Sequence, residues 1–149
     1  MEQLFIINKP EDFKEVIDVI LTQTKERETI VITLSGDLGV GKTTFTQELG
    51  KYLGVEEIIV SPTFTIMKNY QLENENYSEL VHIDAYRIES EEEAQPLHFE
   101  SVFNKPKTIV CVEWPEMISS IIPQDAVSLL LKNSKREVRE VSLSVVNQG

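Results

Sequence analysis

The sequence lacks the features that are typical of secreted and membrane proteins. Its single cysteine, Cys111, cannot form an intramolecular disulfide, which excludes a disulfide framework and favours a reducing compartment. No apolar run approaches the length of a membrane-spanning helix, and the N-terminal segment has neither the basic start nor the apolar core of a signal peptide. We therefore expect a cytoplasmic protein that does not contact a membrane.

Basic residues are scarce: 14 lysines and arginines stand against 25 aspartates and glutamates, for a net charge of −11. Proteins grip nucleic-acid backbones mainly through cations that neutralise phosphates. The chain is therefore a poor candidate for holding DNA or RNA by itself. If it acts on nucleic acid, we expect a partner protein to hold that nucleic acid.

Internal repeats, low-complexity tracts and flexible linkers are absent, so residues 1–149 are predicted to form one domain. Apolar and β-branched patterns predict strands at 4–7, 30–34, 64–70, 79–86, 108–112, 126–131 and 138–146. Apolar spacing predicts helices at 10–25 and 42–53 and a short helix at 116–122. The acidic run at 89–93 is interpreted as a solvated helix start, and the stretch from there to Lys107 has little pattern. This order predicts an α/β fold with a mixed, largely parallel central sheet flanked by helices.

The most specific motif lies between the strand at 30–34 and the helix at 42–53. Residues 36–43, Gly-Asp-Leu-Gly-Val-Gly-Lys-Thr, match the phosphate-binding P-loop pattern G-x-x-x-x-G-K-[ST]. The glycines let successive backbone N–H groups point inward, and the helix N-terminus adds the positive end of its dipole. A simple tight turn would explain the glycines but neither Lys42 nor Thr43. The motif predicts a P-loop NTPase that binds a polyphosphate.

Each side chain at the start of the helix has a predicted role. Lys42 is placed between the β- and γ-phosphates as a catalytic cation, Thr43 as a ligand of Mg²⁺, and Thr44 as a donor to the α-phosphate. We expect Lys42 to be exposed when no nucleotide is bound. The predicted nucleotide-binding residues are Asp37, Leu38, Gly39, Val40, Gly41, Lys42, Thr43 and Thr44.

A second acid is expected at the end of a buried strand beside the loop. Glu113 follows the apolar run 109–112 and is predicted to be catalytic and to hold Mg²⁺ directly or through water; a solvated strand-end residue is the alternative. Guanine-specific P-loop proteins use N-K-x-D after this acid, whereas residues 104–107 end in lysine and precede it. The predicted nucleotide is therefore ATP.

Three further segments accompany the P-loop: Ser61-Pro62-Thr63-Phe64, residues 82–87 (His-Ile-Asp-Ala-Tyr-Arg), and Glu113-Trp114. In this order and spacing the chain resembles the TsaE (YjeE-type) family of bacterial tRNA threonylcarbamoyladenosine biosynthesis, from the first strand to about Pro123. The resemblance implies a small α/β P-loop fold and ATP hydrolysis with Mg²⁺. It also implies action on a complex of TsaB and TsaD, in which TsaD modifies tRNA, so that this chain would meet tRNA only indirectly.

The added segments have physical roles of their own. Thr63 is predicted to reach the γ-phosphate or Mg²⁺ from a switch loop, with a simple turn as the alternative. His82 and Asp84 share one strand face and are predicted to order the attacking water or the metal's water shell, Asp84 as a catalytic residue. A satisfied, partly buried histidine is the alternative for His82.

Two residues next to these have open assignments. Arg87 either stabilises phosphate charge or forms a surface ion pair with nearby glutamates. Trp114 packs near the nucleotide or anchors the core at a strand end. One departure from the family is visible, since Leu97-His98-Phe99 stands where a Leu-Gly-aromatic step is usual. Histidine tolerates a left-handed backbone less well than glycine, so we expect that loop to take a different path.

The leading hypothesis is thus an ATPase, weak by itself, that drives a tRNA-modification complex. A nucleotide-dependent binding module is the main alternative, because occupancy alone could change the affinity for a partner. A small-molecule P-loop kinase is less favoured, since the sequence shows no arginine-rich lid.

Overall fold

Seven strands of the chain line up in one mixed sheet. The structure is a computed structural model, and it describes residues 2–36, 41–60, 66–133 and 138–145. Within these ranges the strands are β1 (Glu2–Ile7), β2 (Thr29–Ser35), β3 (Met67–Gln71), β4 (Glu79–Asp84), β5 (Thr108–Glu113), β6 (Val127–Asn133) and β7 (Arg139–Ser144). Their order in the sheet is β1-β7-β6-β2-β5-β4-β3.

The centre of this sheet is parallel and its two sides are antiparallel. β2 pairs in parallel with β5 and β6, and β4 pairs in parallel with β5. The pairs β1–β7, β6–β7 and β3–β4 are antiparallel. The predicted α/β class with a mixed, largely parallel central sheet is confirmed. The prediction of one domain over residues 1–149 stays a prediction.

The described helices are α1 (Phe13–Gln23), α2 (Lys42–Leu53), α3 (Glu91–Ala94) and α4 (Phe99–Phe103). α2 has the predicted bounds, and α3 begins in the acidic run as predicted. α1 is shorter than predicted because Pro10–Asp12 forms a turn of 3₁₀ helix before it. α4 was not predicted, since one turn of helix gives too short a pattern; its Phe99 and Phe103 are buried four residues apart.

Three predicted boundaries differ from the structure for local reasons. β4 ends at Asp84, because the next amide, that of Ala85, donates to the carbonyl of Glu113 and the chain then turns. The predicted helix at 116–122 is instead a 3₁₀ segment, Pro115–Ile121, interrupted at Ile118 by non-helical dihedral angles. β6 continues past its predicted end at residue 131, through Asn133, and residues 134–137 lie outside the described ranges.

Helices pack on both faces of the sheet. α1 and α2 cover one face, where Phe13 and Phe45 meet edge to face with ring centroids 5.5 Å apart. α4 and the 3₁₀ segment cover part of the other face, where Phe99 packs against Val112 and its neighbours. β2 and β5 are therefore apolar on both sides, as their continuous β-branched runs predicted.

His98 precedes α4 in the left-handed conformation, with φ 54° and ψ 42°. The residue therefore takes the conformation in which a glycine would stand without strain. His98 does not avoid the left-handed backbone, and the different loop path stays a prediction.

The parallel strands β2, β4 and β5 end at the same edge of the sheet. Open parallel sheets bind ligands outside the carboxyl ends of their strands. Gly36, Asp84 and Glu113 all follow or end these strands, which makes this edge the candidate site.

Candidate nucleotide site

The two ends of the P-loop are glycines with positive φ. Gly36 follows β2 with φ 143°, and Gly41 precedes α2 with φ 104°. Glycine is the residue that takes such angles at no steric cost, so the motif's glycines are explained by the backbone they allow. The predicted binding residues Asp37, Leu38, Gly39 and Val40 lie outside the described residues, as does Thr63.

Lys42 is the first residue of α2 and is 5% exposed. Its Nζ donates to the carbonyl of Gly36 at 2.9 Å and lies 3.7 Å from the ring centroid of Trp114. The expected exposure of Lys42 is therefore wrong: a carbonyl oxygen and the face of an indole ring both attract the ammonium and enclose it.

Thr43 and Glu113 come together although they are far apart in sequence. The Thr43 hydroxyl donates to Glu113 Oε2 at 3.1 Å, linking the start of α2 to the end of β5. Glu113 is 4% exposed and also contacts His82, whose Nε2 lies 2.5 Å from Oε2. The site thus places a hydroxyl and a carboxylate where the motif predicts the two protein ligands of Mg²⁺.

Asp84 ends β4 directly beside Glu113, its partner in the parallel register. The Asp84 carboxylate is buried, and its Oδ1 accepts a hydrogen bond from the amide of Tyr86 at 3.0 Å. Two buried carboxylates side by side need compensating charge, because buried charges in proteins are paired or coordinate metals. Lys42 supplies one positive charge at this edge, and a divalent cation would supply more.

The donor set fits Mg²⁺ bound together with phosphates. Among the residues that the structure describes, no group of three or more His, Cys, Asp or Glu side chains could hold a metal ion by itself. Mg²⁺ is usually held by one or two protein oxygens, with phosphates and water completing its shell. Thr43 and Glu113 offer such oxygens, so the site suits a metal that arrives with a nucleotide.

Trp114 has an unusual backbone that brings its ring over Lys42. Its φ of 58° and ψ of 50° place it in the left-handed region, which costs a bulky residue roughly 1–2 kcal/mol. The ring also packs against Tyr86, with centroids 5.1 Å apart. Arg87 follows Tyr86 in an exposed turn.

A scan against protein-family models shows where these motifs belong. The model described as "Threonylcarbamoyl adenosine biosynthesis protein TsaE" matches residues 7–141, which is most of the chain. The chain belongs to the TsaE family. The resemblance drawn from the P-loop and the three added segments is confirmed.

Individual relatives agree with the family model. The chain is 36% identical over 137 residues to the tRNA threonylcarbamoyladenosine biosynthesis protein TsaE of Bacillus subtilis strain 168, covering 92% of this chain and 82% of that protein. It is 32% identical to the protein of the same name from Nostoc sp. strain PCC 7120, covering 99% and 88%. The crystal structure of Bacillus subtilis YdiB is also similar, with a TM-score of 0.77, 29% identity, and coverage of 99% of this chain and 87% of that one.

A groove beside the P-loop adds residues that sequence reasoning missed in this TsaE-family chain. It has a volume of about 140 Å³ and runs along Gly41 and Thr44; Ile7, Asn8, Lys9, Pro10, Phe13 and Arg139 complete its lining. Arg139 lies close to Gly41, since a Cβ atom built on that glycine would be 3.8 Å from Arg139 Nε. No sequence motif pointed to Arg139, because β7 is distant from the P-loop in sequence and is close to it only in the folded chain.

The remaining observations concern the thiol of Cys111 and the length of the helices. Burial raises the pKa of Cys111 to about 12; a hydrogen bond with Thr46 opposes this rise, and the nearby Glu113 carboxylate adds to it. This agrees with an inert core thiol. In the parts of the chain that are described, no helix is long and apolar enough to cross a membrane. A cytoplasmic location stays a prediction.

Proposed function

We propose that this chain is a Mg²⁺-dependent ATPase that supports threonylcarbamoyl modification of tRNA adenosine by acting on a TsaB–TsaD-type complex. The observation that carries the proposal is the contact between Thr43 and Glu113 at 3.1 Å, in the same turn of α2 that holds Lys42. P-loop ATPases use this combination of a hydroxyl, an acid and a lysine to bind Mg²⁺ and the β- and γ-phosphates.

The residues divide the work as follows. The N-terminus of α2 and the ammonium of Lys42 bind the phosphates. Thr43 and Glu113 hold Mg²⁺, which neutralises phosphate charge when it is bound. Asp84, next to Glu113 in the register, is placed to orient the attacking water. Glu113 and Asp84 act where charge develops, so they lower the barrier more than they tighten binding.

The groove along Thr44 and Arg139 is the proposed location of the nucleoside. It is lined at the first turn of α2 by Thr44, which would donate to the α-phosphate, and elsewhere by the turn between β1 and α1 and by Arg139. The chain has no N-K-x-D segment after Glu113 with which to recognise guanine. ATP is therefore the proposed nucleotide.

The partner follows from family membership and from charge. The family model and the relatives are named for threonylcarbamoyladenosine biosynthesis, a modification of tRNA. A net charge of −11 opposes direct binding to tRNA, so a TsaB–TsaD-type complex is proposed to hold the tRNA. Neither DNA nor a membrane has a part in this proposal.

A nucleotide-dependent binding module is the second candidate, and one contact favours it. The Lys42 ammonium lies against the Trp114 ring and the Gly36 carbonyl, so phosphate bound by Lys42 would lie close to Trp114. Because Trp114 packs on the half-exposed Tyr86, nucleotide binding alone could change the surface offered to a partner. In this second candidate function, hydrolysis is not required.

Measuring ATP hydrolysis in four mixtures tests the proposal. The chain is assayed alone and with a TsaB–TsaD complex and tRNA, each with Mg²⁺ and with EDTA. We expect slow Mg²⁺-dependent turnover by the chain alone and faster turnover with the complex, since a partner surface can exclude water and order the site. If hydrolysis is no faster with Mg²⁺ than with EDTA, both for the chain alone and with the complex, the proposed ATPase activity is contradicted.

A further inference from the structure

His82 is a buried polar residue whose role is not explained by packing. It lies in β4 between Val81 and Ile83 and is completely buried. Its Nε2 lies 2.5 Å from Glu113 Oε2, while its Nδ1 has no hydrogen-bond partner among the residues that the structure describes. A buried imidazole is costly unless it is hydrogen-bonded, and the contact with Glu113 is the bond that offsets this cost.

The contact constrains Glu113 from the side of the core. In the register, His82 is paired with Cys111, two residues before Glu113, and its imidazole meets the Glu113 carboxylate across the two neighbouring strands. The Thr43 hydroxyl donates to the same oxygen, Oε2, at 3.1 Å. Glu113 Oε2 therefore contacts one side chain from the core and one from the P-loop helix.

The direction of the hydrogen bond assigns the tautomer. An ionised carboxylate only accepts hydrogen bonds, so the proton of the neutral imidazole belongs on Nε2. Nδ1 then carries a lone pair and not an N–H group. In this tautomer the only imidazole atom without a partner is an acceptor, and no buried N–H group is left unpaired. This costs less free energy than the other tautomer, which would leave a buried donor unpaired.

We propose that His82 is a positioning residue that fixes the Glu113 carboxylate for Mg²⁺. This inference rests on the proposed Mg²⁺-dependent function. Outer partners of metal ligands orient the ligand, and removing one typically costs about 10- to 100-fold in metal affinity or activity. Lys42 and the N-terminus of α2 do not depend on this contact, so phosphate binding without metal should change little when His82 is replaced.

The test compares His82→Leu, His82→Asn and His82→Gln with the parent. Leucine fills the space without a donor, and asparagine carries a donor that is too short to reach Glu113. Glutamine extends its amide nitrogen to about the position of imidazole Nε2. Thr108→Val serves as a matched control, because Thr108 is a fully buried polar residue at the opposite end of β5. Circular dichroism and urea unfolding establish which variants fold.

The readout is nucleotide binding followed by the fluorescence of Trp114, the chain's one tryptophan, with a non-hydrolysable ATP analogue and increasing Mg²⁺. We expect His82→Leu and His82→Asn to need roughly 10- to 100-fold more Mg²⁺ for half-maximal effect. His82→Gln and Thr108→Val should stay near the parent, and metal-free affinity should be equal in all five proteins. If His82→Leu does not fold, the comparison of His82→Asn with His82→Gln tests the inference.

Failure of the inference and failure of the proposed function give different results. If the parent shows Mg²⁺-dependent binding and the leucine or asparagine variant has the same Mg²⁺ requirement, His82 is a packing residue and the inference is overturned. If the parent itself binds the analogue without any influence of Mg²⁺, the proposed function fails and the inference fails with it.

Discussion

Lys42 carries the strongest single-residue prediction. Its ammonium is expected to exchange the Gly36 carbonyl and the Trp114 ring for phosphate oxygens, and hydrogen bonds to charged groups contribute about 1.5–3 kcal/mol each. Lys42→Ala should therefore weaken ATP binding roughly 10- to 100-fold in calorimetric titration, with the fold intact. Lys51→Ala, an exposed position of the same helix, is the control. Parent-like ATP affinity in folded Lys42→Ala would show that the P-loop lysine does not bind phosphate.

Glu113 and Asp84 should affect turnover more than binding. Both carboxylates lie at the strand ends where charge develops in the proposed reaction. Glu113→Gln and Asp84→Ala are each expected to reduce kcat on the order of 100-fold, with nucleotide affinity at saturating Mg²⁺ changed far less. Steady-state assays with the partner complex at saturation measure kcat, and calorimetry measures affinity. Parent rates in both variants would remove the pair from catalysis.

Cys111 should be unreactive in the folded protein. Burial raises its pKa to about 12 from the ordinary value of 9.0, so the reactive thiolate is scarce at about pH 8. Because the folded pKa is raised, the thiol's contribution to stability is fully present below about pH 9 and is lost as the pH rises toward 12. A thiol reagent such as DTNB should label the chain in urea but leave the native protein unlabelled for the length of the experiment. Rapid labelling of the native protein under the same mildly alkaline conditions would contradict this account of the core.

At the scale of elements, α2 depends on the residue that ends it. Gly54 follows the helix with φ 87°, and a Cβ atom there would lie 2.9 Å from the backbone oxygen of Glu73. Gly54→Ala therefore combines a strained left-handed backbone with a backbone clash, and we expect a loss of about 1–3 kcal/mol in the free energy of unfolding. Urea titration measures the change, with Lys51→Ala again as the control. Equal stability of Gly54→Ala and the parent would mean that the turn relaxes freely.

The elements that sequence reasoning predicted well are those with strong local signals. α2 has apolar residues at helical spacing and a glycine at its end, and β2 is a continuous β-branched run. α4 and the 3₁₀ segment after Trp114 were missed or mistyped, because their few residues are ordered by packing against the sheet. The end of β4 depends on a hydrogen bond from Ala85 to Glu113, a distant residue that belongs to the neighbouring strand.

The candidate site could likewise be predicted only in part from the sequence. The motifs by themselves point to Lys42, Thr43, Asp84 and Glu113. The burial of Lys42, the contact between His82 and Glu113, and the approach of Arg139 to Gly41 depend on which strands are neighbours. Strand order is not written in any local pattern, so these relations follow only from the fold.

At the scale of the molecule, the parallel centre of the sheet and the charge of the chain act together. The sheet brings a lysine, a hydroxyl and two carboxylates to one edge, while a net charge of −11 opposes contact with tRNA phosphates. In the proposed function, the chain of this TsaE-family protein binds a nucleotide at this edge and passes its effect to a partner.

The most direct test of this account is threonylcarbamoyl transfer to tRNA by a TsaB–TsaD-type complex, followed over many turnovers. It is run with the parent chain, Lys42→Ala, Glu113→Gln, Lys51→Ala or no added chain. We predict sustained product formation with the parent and Lys51→Ala, and a stop after early turnovers in the other three reactions. Sustained product with Glu113→Gln, in a variant shown to bind but not hydrolyse ATP, would support the binding module over the ATPase. Equal product in all five reactions would contradict the proposed role of this chain in the modification.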